Sequence, residues 1–128
     1  MRTFANPQRS DTQVEMQFSE AEFRKVVQET LDRIEKGFSN VDPDVAECEQ
    51  ALGAMTITLS DRSRCILSTQ PSVRQLWLAL ASKGTAYHFN YDRQKQVWID
   101  DKGKGIELIS FLQDFFKQTV DLNLKLRS

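Results

Sequence analysis

The chain has 128 residues, of which 40% are hydrophobic and 27% are charged, as expected for one globular domain. This composition excludes a wholly disordered chain, and no apolar run approaches the roughly 20 residues that a membrane-spanning helix needs. We therefore expect no membrane partner. Cys48 and Cys65 show no metal-ligand spacing, which favours a reducing compartment.

The net charge of −1 conceals a strong asymmetry along the chain. Between residues 15 and 49, ten acidic side chains stand against four basic ones, a balance of −6, so the remainder carries +5. This polarity predicts a cation or a basic partner at one end and argues against nucleic-acid binding. Residues 1–17 are polar and lack the apolar core of a secretory signal, and we predict that they form a flexible arm.

The first helix is predicted over residues 19–38. Ser19 and Glu22 have the spacing of a capping box, and Phe18 and Phe23 have that of a hydrophobic staple. Gly37 permits the helix to end. Apolar residues recur at helical spacing through this segment, at Phe23, Val26, Val27, Leu31, Ile34 and Phe38.

The middle of the chain changes to the two-residue period of β-strands. Met55, Ile57 and Leu59 alternate with smaller or polar residues, which predicts a half-buried strand over residues 54–59. Further strands are predicted over residues 64–68, 75–80, 86–90 and 96–100, with a first edge strand around Cys48. The gaps between them are short, which favours an antiparallel meander.

A second helix and an apolar tail end the chain. The helix would place one apolar face towards the sheet, formed by Leu108, Ile109, Leu112, Phe115, Phe116 and Val120. In residues 122–128 leucines alternate with polar residues, which is the spacing of an extended segment. We expect this tail to pack on the domain. The predicted fold class is therefore α+β, a two-layer α/β sandwich with both helices on one face of an antiparallel sheet of about six strands.

Several segments resemble the frataxin family over residues 18–121. The sequence QLWL at residues 75–78 is similar to the Gln-aliphatic-Trp-Leu signature of frataxins. YHF at residues 87–89 and VWI at residues 97–99 resemble the next two strands. MTITL at residues 55–59, following the acidic ECE at residues 47–49, resembles the first strand pair.

The resemblance implies an accessory protein that binds iron(II) weakly and regulates iron–sulfur cluster assembly by docking on the cysteine desulfurase–scaffold complex. The alternative function is a ferroxidase or iron-storage protein that oxidises Fe(II) to Fe(III), so enzymatic activity is left open. The family also implies a monomer or an iron-induced oligomer. The apolar tail resembles that of eukaryotic members and favours the mitochondrial matrix, with the bacterial cytoplasm as the alternative.

The predicted iron site is an acidic ridge on the first helix and the first strand. Carboxylate oxygens are hard ligands that suit Fe(II), although a solvated helix face would have the same composition. The candidate ligands are Asp32, Glu35, Asp42, Asp44, Glu47 and Glu49. The sequence departs from bacterial frataxins after the first helix, where Lys36 and Gly37 replace acidic residues, which predicts weak binding.

The predicted partner surface centres on Trp77. By strand alternation Gln75 and Trp77 lie on the face opposite the leucines, where an exposed aromatic side chain can anchor a partner. Packing of Trp77 under a loop or the tail is the alternative. The resemblance adds Gln70 and Asn90 to this surface. No nucleophile motif and no phosphate-binding loop are present in the sequence, so conventional catalysis is not predicted.

Overall fold

The computed structural model describes residues 18–126, so the predicted arm of residues 1–17 and the last two residues of the tail lie outside it. The elements are α1 (Glu20–Gly37), β1 (Ala46–Ala51), β2 (Ala54–Leu59), β3 (Arg64–Gln70), β4 (Gln75–Leu80), β5 (Thr85–Asp92), β6 (Val97–Asp100) and α2 (Leu108–Val120). The predicted order of helix, strands and helix is confirmed. No helix within residues 18–126 is long and apolar enough to cross a bilayer.

Helix α1 begins where the capping signal places it. The Ser19 hydroxyl accepts the backbone N–H of Glu22 at 3.0 Å, which satisfies a donor that the first turn leaves free. Phe18 packs edge-on against Phe23 with ring centroids 6.0 Å apart, as in a hydrophobic staple. The Glu22 carboxylate forms an ion pair with the guanidinium of Arg93, with 2.8 Å between Oε2 and Nη2. This contact connects the start of α1 to the turn after β5.

The six strands form one sheet in the order β1-β2-β3-β4-β5-β6, with every neighbouring pair antiparallel. The predicted meander is therefore confirmed. At the tip of the β1–β2 hairpin, Leu52 and Gly53 have φ of 54° and 77°. Positive φ at both central residues gives a turn whose twist matches that of the strands. Positive φ is sterically unfavourable for Leu52, which has a Cβ, but not for Gly53. The Leu52 side chain is fully exposed.

Both helices cover the same face of the sheet. The sheet contributes its inward leucines and Met55 to a single core, and the helices contribute apolar stripes that include Phe23, Leu31 and Phe116. The Trp98 side chain is buried, and its indole N–H donates to the Thr30 hydroxyl at 2.9 Å, linking β6 to α1. The two-layer sandwich predicted from the apolar patterns is confirmed.

The described part of the tail lies against the end of α1. Leu124 and Leu126 are buried, whereas Leu122 is half-buried. The approach to α1 is close: a Cβ on Gly37 would lie 2.4 Å from Cδ2 of Leu126. The absence of a side chain at Gly37 therefore makes room for Leu126.

Candidate functional site

The outer face of β4 presents Trp77 to solvent. Leu76, Leu78 and Leu80 are buried under the helices, and alternation directs Trp77 to the opposite face, where it is half-buried. Its indole N–H donates to Oε1 of Gln75 at 2.8 Å. Its ring stacks on His88 of β5, with centroids 4.2 Å apart and an interplanar angle of 15°. Trp77 is thus held in one orientation without belonging to the core.

The sheet register brings the predicted partner residues together. Gln75 lies opposite Gln70 on β3 and opposite Asn90 on β5. Its side-chain amide donates to Oδ1 of Asn90 at 3.1 Å. The four residues Gln70, Gln75, Trp77 and Asn90 therefore form one continuous patch, called here the Trp77 surface.

Sequence reasoning missed one residue that contacts the Trp77 surface, Asp101. Its Oδ2 accepts the Gln75 amide at 3.2 Å and lies 3.6 Å from Nδ1 of His88. The sequence alone indicated which face of its strand His88 occupies, and it placed Asp101 directly after the last strand. Their contact depends on the pairing of β4, β5 and β6, which a single sequence does not supply.

Two acidic residues of α1, Asp32 and Glu35, accept hydrogen bonds from side-chain amides of β1 and of α1 itself. The Gln50 amide donates to Oδ1 of Asp32 at 3.1 Å and to Oε1 of Glu35 at 2.6 Å, and Gln28 donates to Asp32 at 2.8 Å. The hydrogen bond from Gln50, followed by that from Gln28, holds the pKa of Asp32 below its usual range. Gln50 therefore spans the gap between the two carboxylates.

The other acidic candidates lie around the edge of β1. Glu47 and Glu49 are exposed on the outer face of the sheet, opposite Thr58 and Thr56. Oδ1 of Asp42 accepts the N–H of Asp44 at 2.9 Å in the turn before β1. The predicted ridge is thus divided among α1, a turn and the outer face of β1.

An open groove of about 670 Å³ brings four of the six acidic residues near one another, namely Asp32, Glu35, Glu47 and Glu49. Within residues 18–126, however, no three His, Cys, Asp or Glu side chains converge in an arrangement that could hold a metal ion. The oxygen donors suit a hard cation such as Fe(II), but they form no cage. The donor set fits a loosely held, largely hydrated ion.

The two cysteine thiols have raised pKa values and are poor candidates for metal ligands. Burial, followed by the charges of Glu35 and Glu49, raises the pKa of Cys48 to about 12. Burial, followed by the charge of Asp61, raises the pKa of Cys65 to about 12. Because metals bind the thiolate, both side chains are poor ligands at neutral pH.

Proteins similar in sequence include bacterial proteins named iron-sulfur cluster assembly protein CyaY. The protein from Pseudomonas fluorescens strain Pf0-1 is 36% identical over 103 residues, which cover 80% of this chain and 90% of that protein. The protein from Tolumonas auensis is 36% identical over 95 residues, which cover 74% and 86%. These relatives do not support the mitochondrial matrix that the tail had favoured.

Solved structures share the fold. Frataxin from Psychromonas ingrahamii superposes with a TM-score of 0.76 at 20% identity, covering 86% of this chain and 99% of that chain. Trimeric frataxin from the yeast Saccharomyces cerevisiae gives a TM-score of 0.61 at 20% identity, covering 91% and 97%. A family model described as a frataxin-like domain matches residues 16–122. The chain belongs to the frataxin-like family.

Proposed function

We propose that this protein is an accessory factor of iron–sulfur cluster assembly that binds the cysteine desulfurase–scaffold complex and regulates its rate. The observation that carries the proposal is the match, over most of both chains, to bacterial proteins named for iron–sulfur cluster assembly. The proposed compartment is accordingly the bacterial cytoplasm.

The Trp77 surface is the proposed contact with the complex. Aromatic side chains dominate the binding energy of many interfaces, because they bury a large area at a small cost in side-chain entropy. Trp77 is already oriented by Gln75 and His88, so little further ordering is needed on binding. Gln70 and Asn90 offer amide groups beside it for hydrogen bonds to the partner.

Iron(II) is the proposed cargo of the acidic groove and its surroundings. Asp32, Glu35, Glu47 and Glu49 would each contribute carboxylate oxygens, with Asp42 and Asp44 at the adjacent turn. Open access to water limits the affinity, so we propose weak binding that permits transfer. We further propose that the free protein is a monomer, and that any larger assembly requires iron.

Reconstituted cluster assembly provides the test. Adding this protein to a purified bacterial desulfurase and scaffold, with cysteine and Fe(II), should change the rate of cluster formation in a saturable way. An unchanged rate at saturating protein would contradict the proposal. Oxygen consumption by the protein with Fe(II) alone tests the ferroxidase alternative, and chromatography with and without Fe(II) tests the assembly state.

A further inference from the structure

Gln50 is a polar residue at an inward position of β1. It shares its face of the strand with the buried Ala46 and is itself half-buried, whereas the glutamates of β1 lie on the opposite face. Its partner across the β1–β2 ladder, Met55, is fully buried. A polar side chain in such a position is stable only if its polar groups find hydrogen-bond partners. Those partners come from α1.

The side-chain amide of Gln50 is engaged by three residues of α1. Its Nε2 donates to Oδ1 of Asp32 at 3.1 Å and to Oε1 of Glu35 at 2.6 Å. Its Oε1 accepts the side-chain N–H of Gln28 at 3.0 Å. A primary amide has two N–H groups, so both are used. The Gln50 side chain is therefore fixed between two carboxylates, and its carbonyl oxygen is turned to Gln28.

The Gln50 amide takes the place of a cation between Asp32 and Glu35. These two carboxylates lie three residues apart on α1, where like charges repel each other. The positive ends of the two N–H bonds point at one oxygen of each carboxylate and offset the repulsion. A cation that bridged the same two oxygens would have to displace the amide. Glu47 and Glu49 line the same groove but receive no N–H group from the Gln50 side chain, since both are used.

We propose that Gln50 is a positioning residue that competes with Fe(II) for Asp32 and Glu35 and thereby lowers the iron affinity of the groove. The inference rests on the proposed function, because it concerns the same carboxylates. The ion gains the two helical carboxylates only when the amide leaves them, so the hydrogen bonds that are broken reduce the free energy of binding. The arrangement agrees with the lack, among residues 18–126, of three donor side chains that converge as in a metal site.

Gln50→Leu tests the competition with the full chain. Leucine is similar in size but has no amide, so anaerobic calorimetric titration with Fe(II) should show binding about tenfold tighter than in the wild type, equal to about 1.4 kcal/mol. The control Gln118→Leu makes the same substitution at an exposed position of α2 that does not line the groove, and it should leave the affinity unchanged. Both substitutions are neutral, so the charges around the groove, including that of Lys36, stay the same.

A mutant cycle shows whether the gain comes from the two carboxylates. In a chain that carries Asp32→Asn/Glu35→Gln, the further substitution Gln50→Leu should not tighten Fe(II) binding, because the carboxylates that it would release are absent. A merely structural effect of Gln50 on the fold would appear in both backgrounds alike. If Gln50→Leu does not fold, Gln50→Val, which also lacks the amide and suits a strand, takes its place in both arms.

The outcomes separate this inference from the proposed function. Unchanged or weaker Fe(II) binding by Gln50→Leu would overturn the inference, and weaker binding would make the Gln50 carbonyl oxygen a ligand instead. A gain that persists with Asp32 and Glu35 neutralised would overturn it as well. A wild-type chain that binds no Fe(II) would contradict the proposed cargo, whereas binding that appears only in Gln50→Leu would still support the competition. No binding by either chain would overturn both.

Discussion

Trp77 lies on the open face of the sheet, so its removal should separate binding from stability. Trp77→Ala loses the stack on His88 and one hydrogen bond, and we expect the free energy of unfolding to fall by about 1–3 kcal/mol. At an interface the same truncation costs about 2 kcal/mol or more, roughly a thirtyfold loss of affinity. Thermal unfolding and the desulfurase–scaffold assay on one preparation measure both effects.

Trp98→Ala is the matched control for Trp77→Ala. Trp98 is 2% exposed and its indole donates to Thr30, so its truncation should cost about 3–5 kcal/mol of stability. A drop of that size for Trp77→Ala would show that Trp77 is a core residue. Full activity of folded Trp77→Ala in the assembly assay would remove it from the partner surface.

The two cysteines should be almost inert in the folded protein. With the pKa of each thiol raised to about 12, the reactive thiolate is about one part in ten thousand at pH 8. We expect slow alkylation by iodoacetamide in buffer and rapid alkylation in urea, where burial no longer raises the pKa. Mass spectrometry of both samples over time checks this. Rapid labelling of Cys65 in the folded state would contradict the buried environment described here.

At the scale of elements, the tail should contribute to stability. Burying a leucine side chain is worth roughly 1.5–3 kcal/mol, and both Leu124 and Leu126 are buried. Deleting residues 122–128 should therefore lower the melting temperature clearly. An unchanged melting temperature would show that the tail does not hold its place in solution.

Gly37→Ala tests the same contact without shortening the chain. The added Cβ would meet Leu126, so the full chain should melt at a lower temperature. In a chain lacking residues 122–128 the same substitution should not be destabilising.

The groove between α1 and β1 should respond to ferrous iron. Anaerobic titration of labelled protein with Fe(II) should broaden the amides of Glu35, Glu47 and Glu49 first, and those of Asp42 and Asp44 at higher iron. The reason is that several carboxylates around one groove attract a divalent cation. The groove is open to solvent, so water screens this attraction and the affinity stays low. Broadening centred on His88 or Cys65 would place the ion elsewhere.

Helices and strands could be predicted from the sequence because their apolar periods are local. Ser19 and Glu22 mark the start of α1, and alternating leucines mark β4, without any knowledge of the rest of the chain. The site could be predicted only in part. The contacts of Gln50 with Asp32 and Glu35 depend on how α1 packs on β1, and the contact of Asp101 with Gln75 depends on strand register. A single sequence shows neither. Charge counting found the acidic region but could not show that Glu47 and Glu49 lie on a different face from Asp32.

The molecule as a whole should lose stability in acid. Hydrogen bonds hold the pKa of Asp32, Asp61 and Asp121 below 3.8. Burial alone would raise the pKa of Asp100, but the N–H groups of Ile106, Lys104 and Lys102 outweigh it and lower the value. A lowered pKa in the folded state means that the stabilisation is present above the unfolded value and is lost as the pH falls through the folded value.

We therefore expect a melting temperature that is nearly constant above about pH 5 and falls progressively below about pH 4. Asp100→Asn, which cannot ionise, should melt lower at pH 7 and show a weaker dependence on pH in this range. Thermal unfolding from pH 3 to pH 7 measures both curves. An equally steep acid transition in Asp100→Asn would show that this carboxylate does not contribute.

The order of strands in the sheet also has a consequence for how the chain folds. Each strand pairs with its neighbours in the sequence, so every hairpin closes a short loop at small entropic cost. The ring contact between Phe38 and Phe116, by contrast, joins the end of α1 to α2 across the whole sheet segment. Local pairing in the sheet favours rapid formation of the hairpins, and we expect the two helices to meet after the sheet has brought them close. On this expectation the meander forms first, and the distant ends of the domain pack on it.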